Sequence, residues 1–264
     1  MAPAAEISRP HSGVVIEPVR RHGEPELTGA GLLLINPAEA RMAGAMAREA
    51  GWRRYPFFPG ALYLAPQGGA WLAGPAVGAP VAVMALEKLV ALGAPTVISL
   101  GWCGALAPAV EVGDIVLPVD AVSEEGTSAH YPLGESSGPV NPGLGRELAA
   151  LLAGEDFVVH SGSVWTTDAP YRETWEKVSS FRRQGVLAVE MEFSALATVA
   201  AYRGVSLASV LLVSDLVRED SVWNPSFRGR DFRRRARRLV ELLKNYVSRQ
   251  YPVSQASLSS PVDP

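Results

Sequence analysis

Short apolar runs alternate with segments of helical periodicity along most of the chain. Strands are predicted where the apolar runs fall, at 32–35, 71–73, 97–100, 115–117, 157–165, 186–189 and 207–213. Helices are predicted where apolar residues recur every three or four positions, at 38–50, 81–92, 171–181, 192–203 and 231–247. This alternation favours an α/β layered sandwich with a largely parallel sheet.

Two of the predicted helices have well-defined apolar faces. In the helix at 81–92, Glu87 and Lys88 fall outside the apolar face, and Gly93 follows as a C-terminal cap. The apolar positions of that helix are Ala82, Ala85, Leu86 and Leu89, and those of the last helix are Phe232, Ala236, Leu239, Leu243 and Val247.

The two ends of the chain differ from its centre in composition and in hydrophobic periodicity. Residues 1–28 contain four prolines and no sustained period, which predicts an N-terminal arm lying over a surface. Residues 29–249 are predicted to form a single domain, and the Ser- and Pro-rich residues 250–264 a flexible tail. Within the domain, residues 120–143 are predicted to form a long polar loop.

Composition narrows the class of protein. The chain has 264 residues, of which 48% are hydrophobic and 19% charged, which is typical of a globular protein with a sizeable core. Cys103 is the single cysteine and the four histidines are scattered, so neither a disulfide, a metal nor another cofactor is expected. A net charge of −3 gives no general attraction to nucleic acid. Without an apolar run of about 18 residues or a signal pattern, the expected location is the cytoplasm, away from membranes.

Two glycine-containing segments follow predicted strands. The segment at 72–80 precedes a helix, where its glycines serve either a close approach to a ligand or the turn alone. The segment at 99–104 places Trp102 and Cys103 at the carboxyl end of a strand, where parallel sheets bind ligands. Trp102 is equally interpreted as a core residue, and Cys103 is favoured as a structural thiol because no histidine lies nearby in the sequence.

Acidic residues mark three further segments. Glu190, Met191 and Glu192 lie where an apolar strand gives way to a helix, where a carboxylate serves either a sugar diol or the helix N-terminus. Asp215 ends a buried strand, where it either gives a proton to a leaving group or caps a helix. The polar residues 123–131 form either a site-lining or a solvated loop.

Seven arginines lie between residues 228 and 238. Most fall away from the apolar stripe of the last helix, and Phe232 is the only aromatic residue suited to stacking on a base. A solvated face or a subunit contact is therefore favoured over nucleic-acid binding.

Several segments together resemble the nucleoside phosphorylase and nucleosidase superfamily, in order from about residue 31 to 245. They are Gly-Ala-Pro at 78–80, Gly-Trp-Cys-Gly at 101–104 followed by Val-Gly-Asp-Ile-Val-Leu-Pro at 112–118, Glu-Gly-Thr-Ser-Ala-His-Tyr at 125–131, Thr-Asp-Ala-Pro-Tyr at 167–171, Val-Glu-Met-Glu at 189–192 and Val-Ser-Asp at 213–215. The resemblance implies a three-layer α/β/α sandwich with a central mixed, largely parallel twisted sheet. It also implies cleavage of a nucleoside N-glycosidic bond.

The resemblance also implies roles for individual residues. Glu192 would hold the ribose hydroxyls, Met191 would pack on the sugar, and Asp215 would protonate or hydrogen-bond a departing purine. The remaining substrate-site candidates are Glu190, Gly101, Trp102, Cys103, Ser214, Tyr171 and Arg172. The family builds its site from two subunits, which implies a homo-oligomer (dimer, trimer or hexamer), with His11 or His22 as candidates to complete a neighbour's site.

The phosphate site departs from the family pattern. Phosphorylases of the family carry an arginine in the first strand-to-helix turn, and residues 35–39 here contain none. They carry a second arginine where this chain has Ser99, and a small hydroxyl residue where it has Trp102. A serine cannot replace the bidentate hydrogen bonds of a guanidinium. The phosphate-binding candidates are Gly78, Ser99, Arg53 and Arg54, the last two reaching a neighbour's site.

Three hypotheses follow from this departure. The first is a nucleoside phosphorylase with an atypical phosphate site, acting on a purine nucleoside with phosphate as co-substrate. The second is a nucleosidase that uses water. The third, from another class, is a non-catalytic nucleoside-binding protein in which Trp102 fills the anion pocket.

Overall fold

A mixed β-sheet with helices on both faces forms the body of the protein. The computed structural model describes residues 13–132, 141–218, 223 and 226–250. Within them the nine strands are β1 (Ala30–Leu34), β2 (Arg53–Phe57), β3 (Gly60–Leu64), β4 (Trp71–Gly74), β5 (Thr96–Ala105), β6 (Ile115–Glu124), β7 (Val159–Thr167), β8 (Ala188–Glu190) and β9 (Ser206–Leu216). The helices are α1 (Pro37–Glu49), α2 (Ala79–Ala91), α3 (Pro142–Ala153), α4 (Trp175–Arg183), α5 (Phe193–Arg203) and α6 (Arg230–Arg249), with short 3₁₀ turns at Ser128–His130, Pro170–Arg172 and Ser226–Arg228.

The sheet closes on itself at one end. Its strand order is β2-β3-β4-β1-β5-β8-β7-β6-β9, and β9 also pairs with β5, so the last five strands form a closed ring. In the described residues five strand pairings are parallel and four are antiparallel. The sheet is therefore mixed, and the prediction that it is largely parallel overstated its parallel part.

Side chains of β1 show how the layers are built. Leu32 and Leu34 join a buried cluster with residues of α1, α3 and α6, whereas Leu33 joins a second cluster with α2 and α5. Because neighbouring residues of a strand face opposite sides of a sheet, β1 is covered by helices on both faces. The prediction of helices on both sides of a central sheet is confirmed.

Several predicted boundaries were wrong. Strand β6 continues to Glu124, so the polar loop predicted at 120–143 begins later, and α3 starts at Pro142. The helix predicted at 171–181 is a 3₁₀ turn followed by α4, which begins at Trp175 after the Thr174 N-cap. The hairpin of β2 and β3 was not predicted because exposed residues interrupt its apolar alternation.

The apolar faces of α2 and α6 are confirmed with one correction. The five predicted apolar positions of α6 are buried, and most arginines of its first half are exposed, as a solvated face requires. In α2, however, Glu87 is buried rather than outside the apolar face. It accepts two hydrogen bonds from Arg203, of 2.7 and 3.0 Å, and so links α2 to α5.

The described part of the N-terminal arm lies along the end of α2. The N–H of Leu27 donates to the carbonyl of Leu92 over 2.8 Å, and Lys88 donates to the carbonyl of Val19 over 2.7 Å. His11, residues 133–140 of the predicted loop and residues 251–264 of the predicted tail lie outside the described residues. Among the helices of the described ranges, none combines the length and apolarity that a membrane crossing requires.

Candidate active site

Gly104 of β5 stands between β9, which carries Asp215, and β8, which leads into the turn that carries Glu192. It pairs with Val189 of β8 on one side and with Asp215 of β9 on the other. A Cβ at Gly104 would lie 3.2 Å from Oδ2 of Asp215 and 3.0 Å from Cγ2 of Val217. Glycine at this position therefore lets the Asp215 carboxyl pack directly against the backbone of β5.

A β-bulge sets the direction of Asp215. Cys103 pairs with Val213, but the next residue, Gly104, pairs with Asp215, so Ser214 is the extra residue. Such bulges bend a strand and turn a side chain that would otherwise follow the regular alternation. The bulge places Ser214 and Asp215 together at the wall of one cavity.

This cavity has a volume of about 450 Å³ and collects most of the predicted site residues. Eight of them line it, namely Trp102, Cys103, Tyr171, Glu190, Met191, Glu192, Ser214 and Asp215. Twelve further described residues line it, and those with polar or aromatic side chains are Asn36, Glu173, Trp175, Arg218 and Trp223. Residues from the β5, β8 and β9 strand ends thus share one concave surface, as a ligand site at sheet ends requires.

Glu190 serves the N-terminus of α5. Its carboxyl accepts hydrogen bonds from the backbone N–H groups of Glu192 and Phe193, over 2.8 and 2.7 Å, and one from the hydroxyl of Thr166. Burial raises the pKa of Glu190, and these three hydrogen bonds oppose that effect. Of the two uses expected for a carboxylate here, Glu190 therefore has the one at a helix N-terminus. It holds the turn that carries Met191 and Glu192.

Glu192 is bound to the glycine turn before α2. Its Oε1 accepts a 2.6 Å hydrogen bond from the backbone N–H of Gly78, whose φ of +87° favours glycine. Only 5% of Glu192 is exposed, and burial, followed by the charge of Glu190, raises the pKa of Glu192. Glu192 is therefore a buried carboxyl held at the cavity wall by one fixed backbone donor.

Asp215 accepts hydrogen bonds on both oxygens. The hydroxyl of Ser214 lies 2.6 Å from Oδ1, and the indole N–H of Trp223 donates to Oδ2 over 2.8 Å. A second carboxyl, that of Glu173, lines the same cavity. Burial, together with the charge of Asp215, raises the pKa of Glu173 to about 7.

The predicted phosphate-binding residues are not brought to this cavity. Ser99 is buried and its hydroxyl contacts that of Ser209, so it offers nothing to a ligand. The N–H of Gly78 is already used by Glu192. Arg53 and Arg54 are exposed on β2, and Arg53 lies over the ring of Tyr55 at 4.9 Å. Among the cavity-lining residues of the described ranges, none of these four is present.

Two predicted substrate-site residues also lie outside the lining. A Cβ at Gly101 would lie 3.4 Å from the side chains of Ile35 and Leu211, and Arg172 is exposed. Their neighbours Trp102 and Tyr171 do line the cavity, so the motifs are correctly placed although these two positions are not. His22 is exposed at the described end of the arm and does not line the cavity.

Trp102 fills the region beside the first strand-to-helix turn. Its ring stacks on Phe227 at 5.4 Å and meets Phe232 edge to face at 5.2 Å. Behind it lies Glu39, a buried carboxyl whose pKa is raised by burial and lowered by the adjacent Trp102. The Trp102 indole N–H and Glu39 Oε2 face each other without a hydrogen bond of good geometry.

Cys103 is a structural thiol, as favoured from the sequence. The residue is buried, and burial together with the charges of Glu190 and Asp215 raises the pKa of its thiol well above the usual range. A thiol in this environment stays protonated and is a poor nucleophile. It contributes packing and its backbone carbonyl, which accepts a 3.2 Å hydrogen bond from Ser214.

Two lining residues outside the predicted set, Glu173 and Trp223, differ in whether a sequence motif points to them. Glu173 follows the Thr-Asp-Ala-Pro-Tyr motif by two positions, which was a usable signal. Trp223 reaches back to Asp215 from eight residues further along the chain, and no pattern marks that contact.

Comparison with known proteins identifies related chains. The model of the phosphorylase superfamily matches residues 53–248. Over 137 residues the chain is 33% identical to a guanosine phosphorylase of Halorubrum lacusprofundi, covering 52% of this chain and 57% of the relative. Over 144 residues it is 33% identical to DeoD-type purine nucleoside phosphorylases of Bacillus cereus and Bacillus thuringiensis, covering 54% of this chain and 61% of each relative. The matches thus span less than two thirds of these relatives. With its family model matched over most of its length, the chain belongs to the phosphorylase superfamily.

Proposed function

We propose that this protein cleaves the N-glycosidic bond of purine nucleosides. The observation that carries the proposal is the position of Glu192 and Asp215, which reach one cavity from the turn after β8 and from β9, the strands on either side of Gly104. A carboxyl for the sugar and a carboxyl for the leaving base are the two groups that such a cleavage needs. The names of the relatives, which are purine and guanosine phosphorylases, support the same reaction class.

In this proposal Glu192 and Met191 bind the ribose. The Glu192 carboxylate accepts hydrogen bonds from the vicinal hydroxyls, and Met191 packs its thioether on the apolar face of the sugar. The hydrogen bond from Gly78 fixes the carboxyl and leaves its position independent of the ligand. Ionised Glu192 also stabilises the positive charge that develops on the ribose as the bond breaks.

Asp215 acts on the base. As the bond between C1′ and N9 breaks, its electron pair moves into the purine, and a proton from Asp215 to N7 neutralises the base. The oxygen of the acceptor then bonds to C1′, and the proton that the acceptor loses replaces the one that Asp215 gave to N7, so the sugar product carries the acceptor and the acid is restored. Ser214 orients Asp215 through its 2.6 Å contact with Oδ1.

Glu173 selects among purines. An ionised carboxylate accepts hydrogen bonds from the two donors of guanine, N1–H and the 2-amino group, and from the N1–H of hypoxanthine. Adenine presents a lone pair at N1, which an ionised carboxylate repels. Glu173 lies close enough to Asp215 for their charges to interact, so both lie in the region where the base would bind. The proposed substrates are therefore 6-oxopurine nucleosides.

The acceptor is phosphate in the first form of this proposal. The relatives are named phosphorylases, and the exposed Arg53 and Arg54 are available to a second copy of the chain. A nucleosidase, with water as acceptor, is the second candidate. Trp102 and the buried Glu39 favour it because they put an aromatic ring and a carboxyl where arginines would bind an anion.

One experiment tests both forms. The purified protein is incubated with guanosine, inosine, adenosine and uridine, in buffers with and without phosphate, and free base and sugar product are identified. Ribose 1-phosphate formed only with phosphate supports the phosphorylase, and free ribose in both buffers supports the nucleosidase. No base release in either buffer contradicts both and leaves a nucleoside-binding protein.

A homo-oligomer is part of this proposal. Val15 and Ile16 of the arm and Phe58 of the β2–β3 turn are strongly exposed apolar residues, which an interface with a second copy would cover. Light scattering at working concentration should give a mass of at least two chains, and the mass of one chain would contradict this part.

A further inference from the structure

Trp223 holds the carboxyl that the proposed reaction uses. Its Nε1 lies 2.8 Å from Oδ2 of Asp215, and its ring lines the cavity. The side chain is 57% exposed, so the core does not require it there. Its ring lies 6.4 Å from that of Phe227, which stacks on Trp102, so Trp223 is the outermost member of an aromatic row at the cavity.

The indole resembles the ligand that the cavity is proposed to bind. Indole and purine are both flat, fused rings of five and six members, and indole presents one N–H from its five-membered ring. A purine that shares a proton with Asp215 through N7 makes the same kind of contact from the same kind of ring.

The surroundings of Asp215 leave little room for two such rings. On one side Oδ2 faces the backbone of β5 at Gly104, where even a Cβ would approach to 3.2 Å. Oδ1 is in contact with the Ser214 hydroxyl at 2.6 Å. On the cavity side, Oδ2 is in contact with the indole N–H of Trp223.

From these contacts we infer that Trp223 competes with the purine base for Asp215. The inference rests on the proposed function, because it assigns the base to Asp215. Trp223 is then a specificity-determining residue. Displacing Trp223 breaks the hydrogen bond between its indole and Asp215. A nucleoside base recovers that free energy only if it makes its own hydrogen bond to Asp215, and a base without N7 makes none.

The test compares binding of four free bases, which are not cleaved. Hypoxanthine and adenine are titrated calorimetrically into the wild-type protein and into Trp223→Phe, each beside its 9-methyl-7-deaza analogue, which has carbon in place of N7 and no N–H on its five-membered ring. Phenylalanine keeps an aromatic ring and removes the N–H. Tyr202→Phe is the control, because Tyr202 is a partly exposed aromatic residue of α5 that does not line the cavity, and the change likewise removes a polar hydrogen from the ring system.

Trp223→Phe should bind the better of the two purines about tenfold more tightly than the wild type, the size of one hydrogen bond to a charged group. Its affinity for the matching 7-deaza base should stay within about twofold, as should the affinity of Tyr202→Phe for all four bases. An unchanged or weaker affinity for the purine, or an equal gain for its 7-deaza analogue, would overturn the competition. Failure of every protein to bind either purine would instead overturn the proposed function, and the inference with it.

Discussion

The backbone N–H of Gly78 donates a 2.6 Å hydrogen bond to Oε1 of Glu192, which joins the N-cap of α2 to the N-cap of α5. The same glycine turn resembles a ligand-binding turn in sequence, yet its donor is used by a side chain of the protein. Its role is therefore to fix the Glu192 carboxyl at the cavity, and an anion would have to compete with that carboxyl for the amide.

Replacing Glu192 tests its role at the ribose. In Glu192→Gln the charge is lost while the size of the side chain is kept. We expect kcat/KM for a purine nucleoside to fall about 10- to 100-fold, because hydrogen bonds to a charged group contribute about 1.5–3 kcal/mol. The melting temperature should not fall, since an amide is easier to bury than a carboxylate. Near-normal kcat/KM would remove Glu192 from the site.

Replacing Asp215 tests protonation of the leaving base. Asp215→Asn cannot deliver a proton to N7, so kcat for inosine or guanosine should fall at least about tenfold. The control is 4-nitrophenyl riboside, whose leaving group departs as a stable anion and needs no proton. Its turnover should fall much less. An equal loss on both substrates would show that Asp215 does not act on the base.

Replacing Glu173 tests base selection. Glu173→Gln offers an amide in place of the carboxylate, and its amide can donate to N1 of adenine. The ratio of kcat/KM for guanosine to that for adenosine should fall about tenfold or more, by the size of a hydrogen bond to a charged group. A matched control is Glu176→Gln, an exposed acid of α4 that does not line the cavity. An unchanged ratio in Glu173→Gln would contradict the assignment.

The buried acids predict how stability depends on pH. Burial raises the pKa of Glu190 and of Glu192 above the usual value of 4.5, so the folded state binds more protons than the unfolded chain. Their contribution to stability is complete below that value and is lost as pH rises through the folded pKa. The free energy of unfolding, measured with urea between pH 5 and 8, should therefore fall less steeply in Glu192→Gln than in the wild type. An equal slope would contradict the raised pKa of Glu192 in the folded protein.

The sequence was sufficient to predict the layers of the fold and the segments that meet at the cavity. Apolar runs and helical periods report burial on one or two faces, so β1, α2 and α6 were predicted close to their observed positions. The Val-Glu-Met-Glu and Val-Ser-Asp motifs were placed correctly because each follows a buried strand. The hairpin of β2 and β3 was missed because its exposed residues leave no clear period.

The finer arrangement depends on contacts between distant segments. Whether Glu190 or Glu192 serves the α5 N-terminus is decided by which carboxyl meets the N–H groups of that turn. The bulge at Ser214 arises from the pairing of β9 with β5, and the position of Trp223 from a side chain that folds back onto Asp215. The hydrophobic pattern of one segment does not depend on which distant segment it pairs with. For this reason Ser99 and Gly101 were predicted at the site, although they lie outside the cavity lining.

A crystal structure of the protein with a bound, uncleaved purine nucleoside analogue tests the central assignment most directly. It should show N7 of the purine within about 3 Å of Asp215 and the two ribose hydroxyls within about 3 Å of Glu192, the range of a hydrogen bond. A nucleoside bound outside the cavity, or bound with its ribose at Asp215 and its base at Glu192, would contradict it.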